Sequence, residues 1–161
     1  MQTIIIEPVT YSELSEILSL QKLCYQKEGK RYNDFTIPPL TQTIEEIQSE
    51  FNTTLFLKAQ LNGRIIGSVK GKVHQKTCDL GRLMVHPDYQ RQGIAKRLIQ
   101  ELECRIQAEH VVERFELFTG ELSNDNIALY QSQGYRIFKS EQFEPTKETK
   151  VVYMEKWVKS Q

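Results

Sequence analysis

The chain has 161 residues, with 21 Lys and Arg balanced by 21 Asp and Glu, so its formal net charge is zero. The length suits a single domain, 1–161, and 39% hydrophobic with 26% charged residues is an ordinary globular composition that excludes a disordered or fibrous chain. The charge balance removes the electrostatic argument for binding nucleic acid over a broad surface, so any anion site has to be local.

The segment Met1–Glu7 has neither the basic start nor the apolar run of a signal peptide, and no later apolar run approaches membrane-spanning length. The expectation is a cytoplasmic protein with no membrane partner. Cys24, Cys78 and Cys104 are odd in number and scattered, without a CxxC pair or a His at ligand spacing, and read as reduced thiols. His74, His86 and His110 are isolated, and no metal is assigned.

In chain order, β-branched Ile4–Val9 reads as an edge or terminal strand because Pro8 lacks a ladder donor. From Ser12 the residues Leu14, Ile17, Leu18, Leu20, Leu23 and Cys24 recur at helical spacing, which predicts an amphipathic helix ending before Gly29. Lys30–Thr43 has no clean period and reads as a loop. Thr43 and Glu46 form a capping-box pattern opening a short helix through Phe51, with Ile44, Ile47 and Phe51 on one face. This loop and helix are candidates for a substrate rim, with Glu28, Tyr32, Asp34 and Phe35 as its aromatic and acidic residues.

Thr54–Leu61, Arg64–Val73 and Cys78–Val85 read as strands, the first two joined by the hairpin signal Asn62-Gly63 and the last two by a polar connection. An antiparallel meander is the simplest pairing. Ile94, Leu98, Ile99, Leu102 and Ile106 mark a helix of about four to five turns beginning after Gly93. Phe115–Thr119 then alternates as a strand, Asn126–Gln133 is a short helix stopped by Gly134, and Tyr135–Phe143 with Val151–Val158 reads as a closing hairpin. The sum is an α/β domain around one mixed sheet.

The informative segment runs from Leu80 to Lys96 as strand, tight loop and helix. Successive N–H groups from Arg91 to Lys96 can turn toward one point, where the helix adds its unsatisfied donors and the positive end of its dipole. Gly93 and Ala95 keep that approach clear, and Arg91, Lys96 and Arg97 add charge. Such a loop is a pyrophosphate cradle, although a lone Gly93 also serves merely to relax a strand-to-helix turn.

The pattern Gln90-x-x-Gly93-x-Ala95, following a strand that ends Leu83-Met84-Val85-His86-Pro87, resembles the acyl-CoA motif of GNAT acyltransferases. A second match is Thr119–Tyr135, where a strand ends in a loop and a short helix carrying Asn126, Leu129 and Tyr130 is stopped by Gly134-Tyr135. A dinucleotide fold expects three spaced glycines in an early βαβ unit, and a P-loop expects GxxxxGK[ST]; neither is present.

The resemblance implies the GNAT fold, a mixed central sheet of about six to seven strands flanked by about four helices. It implies a gap between Cys78–Val85 and Phe115–Thr119, where backbone of Met84 and Val85 meets the pantetheine of acetyl-CoA. Gln90, Arg91, Gln92, Gly93, Ile94, Ala95 and Lys96 would hold the pyrophosphate. Acetyl-CoA is then the co-substrate, and the acceptor is a primary amine, on a small molecule or a peptide, that attacks the thioester directly. Tyr130 matches the family's general acid, and the Val85 N–H is a candidate oxyanion donor. Asn126 would orient the cofactor or Tyr130, with helix capping as its other reading. Asp79 matches a strand position where members carry a base glutamate, although water or no dedicated base would also serve. The alternative function is a non-catalytic acyl-CoA-binding module or sensor. A homodimer through the sheet edge or C-terminal strands is a further implication.

Overall fold

The strands are β1 (Ile5–Pro8), β2 (Leu55–Leu61), β3 (Arg64–His74), β4 (Thr77–Val85), β5 (Arg114–Gly120), β6 (Arg136–Gln142) and β7 (Lys150–Trp157). They form a seven-stranded sheet in the order β1-β2-β3-β4-β5-β7-β6, in which β4 and β5 are parallel and the other neighbours antiparallel. This is a computed structural model describing residues 3–144 and 149–159. Met1 and Gln2, read above with the N-terminal segment, lie outside the described residues.

The helices are α1 (Leu14–Cys24), α2 (Gln26–Arg31), α3 (Pro38–Thr41), α4 (Ile44–Glu50), α5 (Ile94–Glu109) and α6 (Asn124–Ser132). Periodicity places α5 on one face of the sheet. Leu98, Ile99 and Leu102 are fully buried there against Leu57, Ile66, Val69 and Cys78, each contributing on the order of 1.5–3 kcal/mol of burial. On the other face Leu14, Ile17 and Ile47 of α1 and α4 pack with Phe56, Ile65 and Met84. Local signals account for the joints. Thr43 and Glu46 close the expected capping box, Glu46 N–H to Thr43 Oγ1 at 3.2 Å and Thr43 N–H to Glu46 Oε1 at 2.9 Å. Asn62 (φ 50°) and Gly63 (φ 78°) make the turn between β2 and β3, as a two-residue hairpin requires.

Three details differ from the sequence reading. The first helix breaks at Tyr25, and Gly29 lies inside α2 rather than beyond a helix end. A β-carbon on Gly29 would sit 2.7 Å from Phe35 Cδ1, so the glycine answers a packing need and not a stop. The expected loop 30–43 contains α3, whose first residue, Pro38, is preset for a helix N-terminus. Finally, the last two strands do pair, but β7 enters between β5 and β6, leaving β6 at the edge with all seven residues exposed.

Candidate active site

β4 and β5 pair only over Thr77↔Arg114, Cys78↔Phe115 and Asp79↔Glu116. Beyond Asp79, β4 stays bound to β3 and β5 to β7, so the two parallel strands diverge and open a cleft between them. Further along, β4 carries a bulge against β3. Lys70 faces Gly81 and Ser68 faces Met84, so Arg82 and Leu83 together oppose a single β3 residue, and Arg82 takes φ 50°. The resulting cavity, about 870 Å³, is lined from both strands, from the loop before α5, from α6 and from the α1–α3 region.

The cleft edge of β4 carries unused backbone groups. His86 N–H donates to Ile66 O at 2.7 Å, which makes the adjoining Gly67–Val85 pair the non-hydrogen-bonded one. The N–H and C=O of Val85 therefore point away from β3, into the cleft. Gln90 Nε2 reaches that carbonyl at 3.3 Å, tying the loop to the strand end.

The start of α5 is a donor array. Gly93 is its N-cap at φ 78°, with no side-chain cap, and Arg91 also has positive φ at 64°. The first intrahelical donor is Arg97 N–H, to Gly93 O at 3.1 Å. The N–H groups of Ile94, Ala95 and Lys96 have no acceptor among the described residues, which leaves them and the dipole for an anion. Apart from its chain neighbours, no described residue comes within 4 Å of a β-carbon built on Gly93, so the space over the loop is open and the glycine answers its φ. These features fit a diphosphate.

Across the cleft, Tyr130 sits on the last turn of α6. Gly134 (φ 94°) ends that helix, and the N–H groups of Gln133 and Tyr135 both return to Tyr130 O at 3.0 Å. The Tyr130 ring is buried and meets Tyr135 edge-on at 6.0 Å. Its hydroxyl has no hydrogen-bond partner among the described residues, and the residue lines the cavity. Burial, with Tyr25 and Glu28 nearby, holds the phenol well above its ordinary pKa of 10.0, so it stays protonated.

The far wall is knit by long-range polar contacts. Leu122 N–H donates to Tyr32 Oη at 2.9 Å, the Tyr32 hydroxyl lies 2.8 Å from Ser123 Oγ, and Ser123 Oγ donates to Glu28 Oε2 at 2.6 Å. Arg31 bridges Glu28 (2.8 Å) and Asp125 (3.0 Å), and Lys27 adds a second cation to Asp125 at 2.9 Å. Deeper in, Lys70 pairs with Glu50, while burial and the nearby Arg82 and Lys72 pull the ammonium pKa down.

Of the residues expected from sequence, Met84, Val85, Gln90, Arg91, Gly93, Ile94, Ala95, Lys96, Asn126, Tyr130 and Asp79 all line this one cavity. Gln92 does not. It is exposed in the turn between Arg91 and Gly93. Ile94 contributes backbone alone, because its side chain is buried in the core beneath α5. Asp79 is half exposed at the paired end of the strands, with His74 Nε2 2.8 Å from its carboxylate. Of the rim candidates, Glu28, Tyr32 and Asp34 line the cavity, whereas Phe35 packs over Gly29. Sequence reasoning missed Tyr25, Lys70 and Arg82 of the wall and Gly120. The one usable signal was the density of charge at Lys70, Lys72 and Arg82 on adjacent strands.

The profile of the acetyltransferase (GNAT) family matches residues 14–135. The UPF0157 protein YqkA of Bacillus subtilis is 30% identical over 121 residues, 75% of this chain and 34% of its own length. An acetyltransferase of Pectobacterium atrosepticum is 36% identical over 81 residues, 50% of this chain and 57% of its own. The chain thus spans about a third to somewhat over half of these relatives' lengths. A PaiA N-acetyltransferase of Thermoplasma acidophilum, solved with coenzyme A, superposes with TM-score 0.79 at 18% identity, covering 97% of this chain and 99% of that one. The family profile spans most of the sequence, and the sheet with its split centre is the fold of that solved neighbour. The chain belongs to the acetyltransferase (GNAT) family.

Proposed function

We propose that this domain is a cytoplasmic N-acetyltransferase that uses acetyl-CoA to acetylate a primary amine by direct attack on the thioester. The observation that carries the reading is the split between β4 and β5, with free anion donors at one end and the unpartnered Tyr130 hydroxyl on its flank. Family membership and the coenzyme A held by the Thermoplasma neighbour support acetyl-CoA as co-substrate. Free thiols at Cys24, Cys78 and Cys104 suit a reducing compartment.

In this reading the Ile94–Lys96 N–H groups and the Arg91 and Lys96 charges hold the diphosphate, and the cleft-facing backbone of Val85 pairs with the pantetheine arm. The neutral amine attacks the acetyl carbon. The Val85 N–H supports the oxyanion, and the C–S bond breaks as Tyr130 gives its proton to the leaving thiolate. The proton lost by the amine leaves through water. Asp79, half exposed and bonded to His74, suits a relay to solvent better than a base in contact with the amine. Asn126 lines the cavity and in this reading orients the cofactor or Tyr130.

The same reading includes a homodimer through the C-terminal strands, where Ile137, Phe138, Phe143 and Trp157 are exposed beside the open β6 edge. Light scattering after size exclusion tests it, and a monomeric mass at tens of micromolar rejects it. The activity is tested by free-thiol release from acetyl-CoA over a panel of primary amines against a no-amine blank. Cofactor binding without amine-dependent release from any acceptor would instead favour an acyl-CoA-binding module.

A further inference from the structure

Among the described residues two arginines, Arg82 and Arg114, have a buried Nε with no acceptor, and their circumstances differ. Arg114 satisfies the rest of its guanidinium with Glu116 at 3.1 Å and Glu155 at 3.3 Å, and it stacks over Phe138 and Trp157. Arg82 has no hydrogen bond and no ion pair to any described residue, and it lines the cleft. Lys70 beside it is taken by Glu50, and Lys72 faces Asp79 across the β3–β4 ladder. The cleft therefore holds a guanidinium with no ion-pair partner among the described residues.

Arg82 is part-buried with its Nε shut off from solvent, and leaving that donor unpaired is unfavourable, a cost that a bound anion removes. The β3–β4 bulge diverts Arg82, at φ 50°, from the regular alternation of β4. Arg82 lines the same cavity as Tyr25 and Tyr130, so the guanidinium and the phenol border one space. A planar guanidinium fork matches a carboxylate through two parallel hydrogen bonds.

We propose that the acceptor is a small primary amine that also bears a carboxylate, and that Arg82 pairs with that carboxylate while the amine reaches the thioester beside Tyr130. This rests on the acetyltransferase reading. A free amino acid places amine and carboxylate a few atoms apart, whereas a long peptide separates its N-terminal amine from its C-terminal carboxylate; the two sources are compared directly.

The first test needs no turnover. N-acetylated amino acids of graded length, and a long N-acetylated peptide, are titrated into the full chain with CoA present, each beside its carboxamide. At least one small acid is expected to bind about tenfold or more tightly than its amide. Arg82→Met should erase that preference with CoA affinity retained, and Arg82→Lys should restore part of it. Acid and amide binding alike to the parent chain at every length overturns the proposal, as does a preference that survives in Arg82→Met or one shown only by the long peptide. The second test is acetylation of the parent amines, where the Arg82→Met deficit should fall on KM for the acceptor. Carboxylate-free amines turned over as well as their acids would overturn the carboxylate site and leave the acetyltransferase standing. A carboxylate preference in binding with no amine acetylated would do the reverse.

Discussion

Gly120 and Tyr32 interlock: a β-carbon built on Gly120 falls 2.0 Å from the Tyr32 hydroxyl oxygen and 2.3 Å from the ring carbon that bears it. The end of β5 thus accepts the tyrosine that crosses from the α2 end to Leu122 and Ser123 and closes one side of the cleft. Gly120→Ala should expel that ring and destabilise the chain by about 1–3 kcal/mol, as overpacking does, measured by urea unfolding. In a Tyr32→Ala background the same substitution should cost almost nothing more. Equal costs in both backgrounds would show that the two residues do not interlock.

The parts of this site that sequence made legible are those specified by neighbours in the chain. Thr43 with Glu46, Asn62 with Gly63, and Gln90 to Ala95 each state their geometry within a few residues, and the 3.6-residue recurrence of α5 states which face is buried. The parts not legible are set across the fold. Ser123 meets Glu28 and Tyr32 from more than ninety positions away. The bulge at Arg82 places an arginine at positive φ, where turn rules look for Gly or Asn. Gly29 and Gly120 look like a helix stop and a strand end, and both are clearances for aromatic rings.

The donor array at α5 predicts that CoA or acetyl-CoA raises the melting temperature by mass action, since it binds the native state alone. Gly93→Glu would set a carboxylate over the free N–H groups of the first turn. With no described residue beyond its chain neighbours within 4 Å, the side chain has room, so the variant should fold, weakened by the positive φ, and lose the CoA-induced shift. A shift equal to the parent's would mean the loop does not bind the diphosphate.

Asp125 ties α6 to α2 and carries a pH dependence. Burial raises its pKa, but hydrogen bonds from Arg31, Lys27 and the Asn126 N–H outweigh this and hold the carboxyl well below the usual carboxylate range. A lowered folded pKa means the unfolded chain takes up the proton first as pH falls. The contribution is therefore complete above the ordinary value of 3.8 and is lost as pH drops through the folded one. Asp125→Asn should lower stability at neutral pH slightly and flatten the fall in stability below about pH 4, read from urea unfolding at a series of pH values. An acid limb as steep as the parent's would assign that slope to other carboxylates.

Tyr130 separates a catalyst from a binder. Tyr130→Phe removes only the hydroxyl, which has no partner among the described residues, so the ring should keep its place against Tyr135 and the affinity for CoA should hold. If that hydroxyl protonates the departing thiolate, the chemical step loses its general acid, an effect of about 10²–10⁴-fold. kcat with any accepted amine should therefore fall by at least about a hundredfold, with the loss in kcat and not in cofactor binding when chemistry limits turnover. Because burial holds the phenol above its ordinary pKa of 10.0, the parent enzyme should show no alkaline loss of rate from this group below about pH 10. The rate over pH 6 to about 10 for parent and variant, together with CoA titrations of both, checks each part. A variant that binds CoA normally and turns over at the parent rate would make Tyr130 a core aromatic and leave the thiolate to be protonated by water.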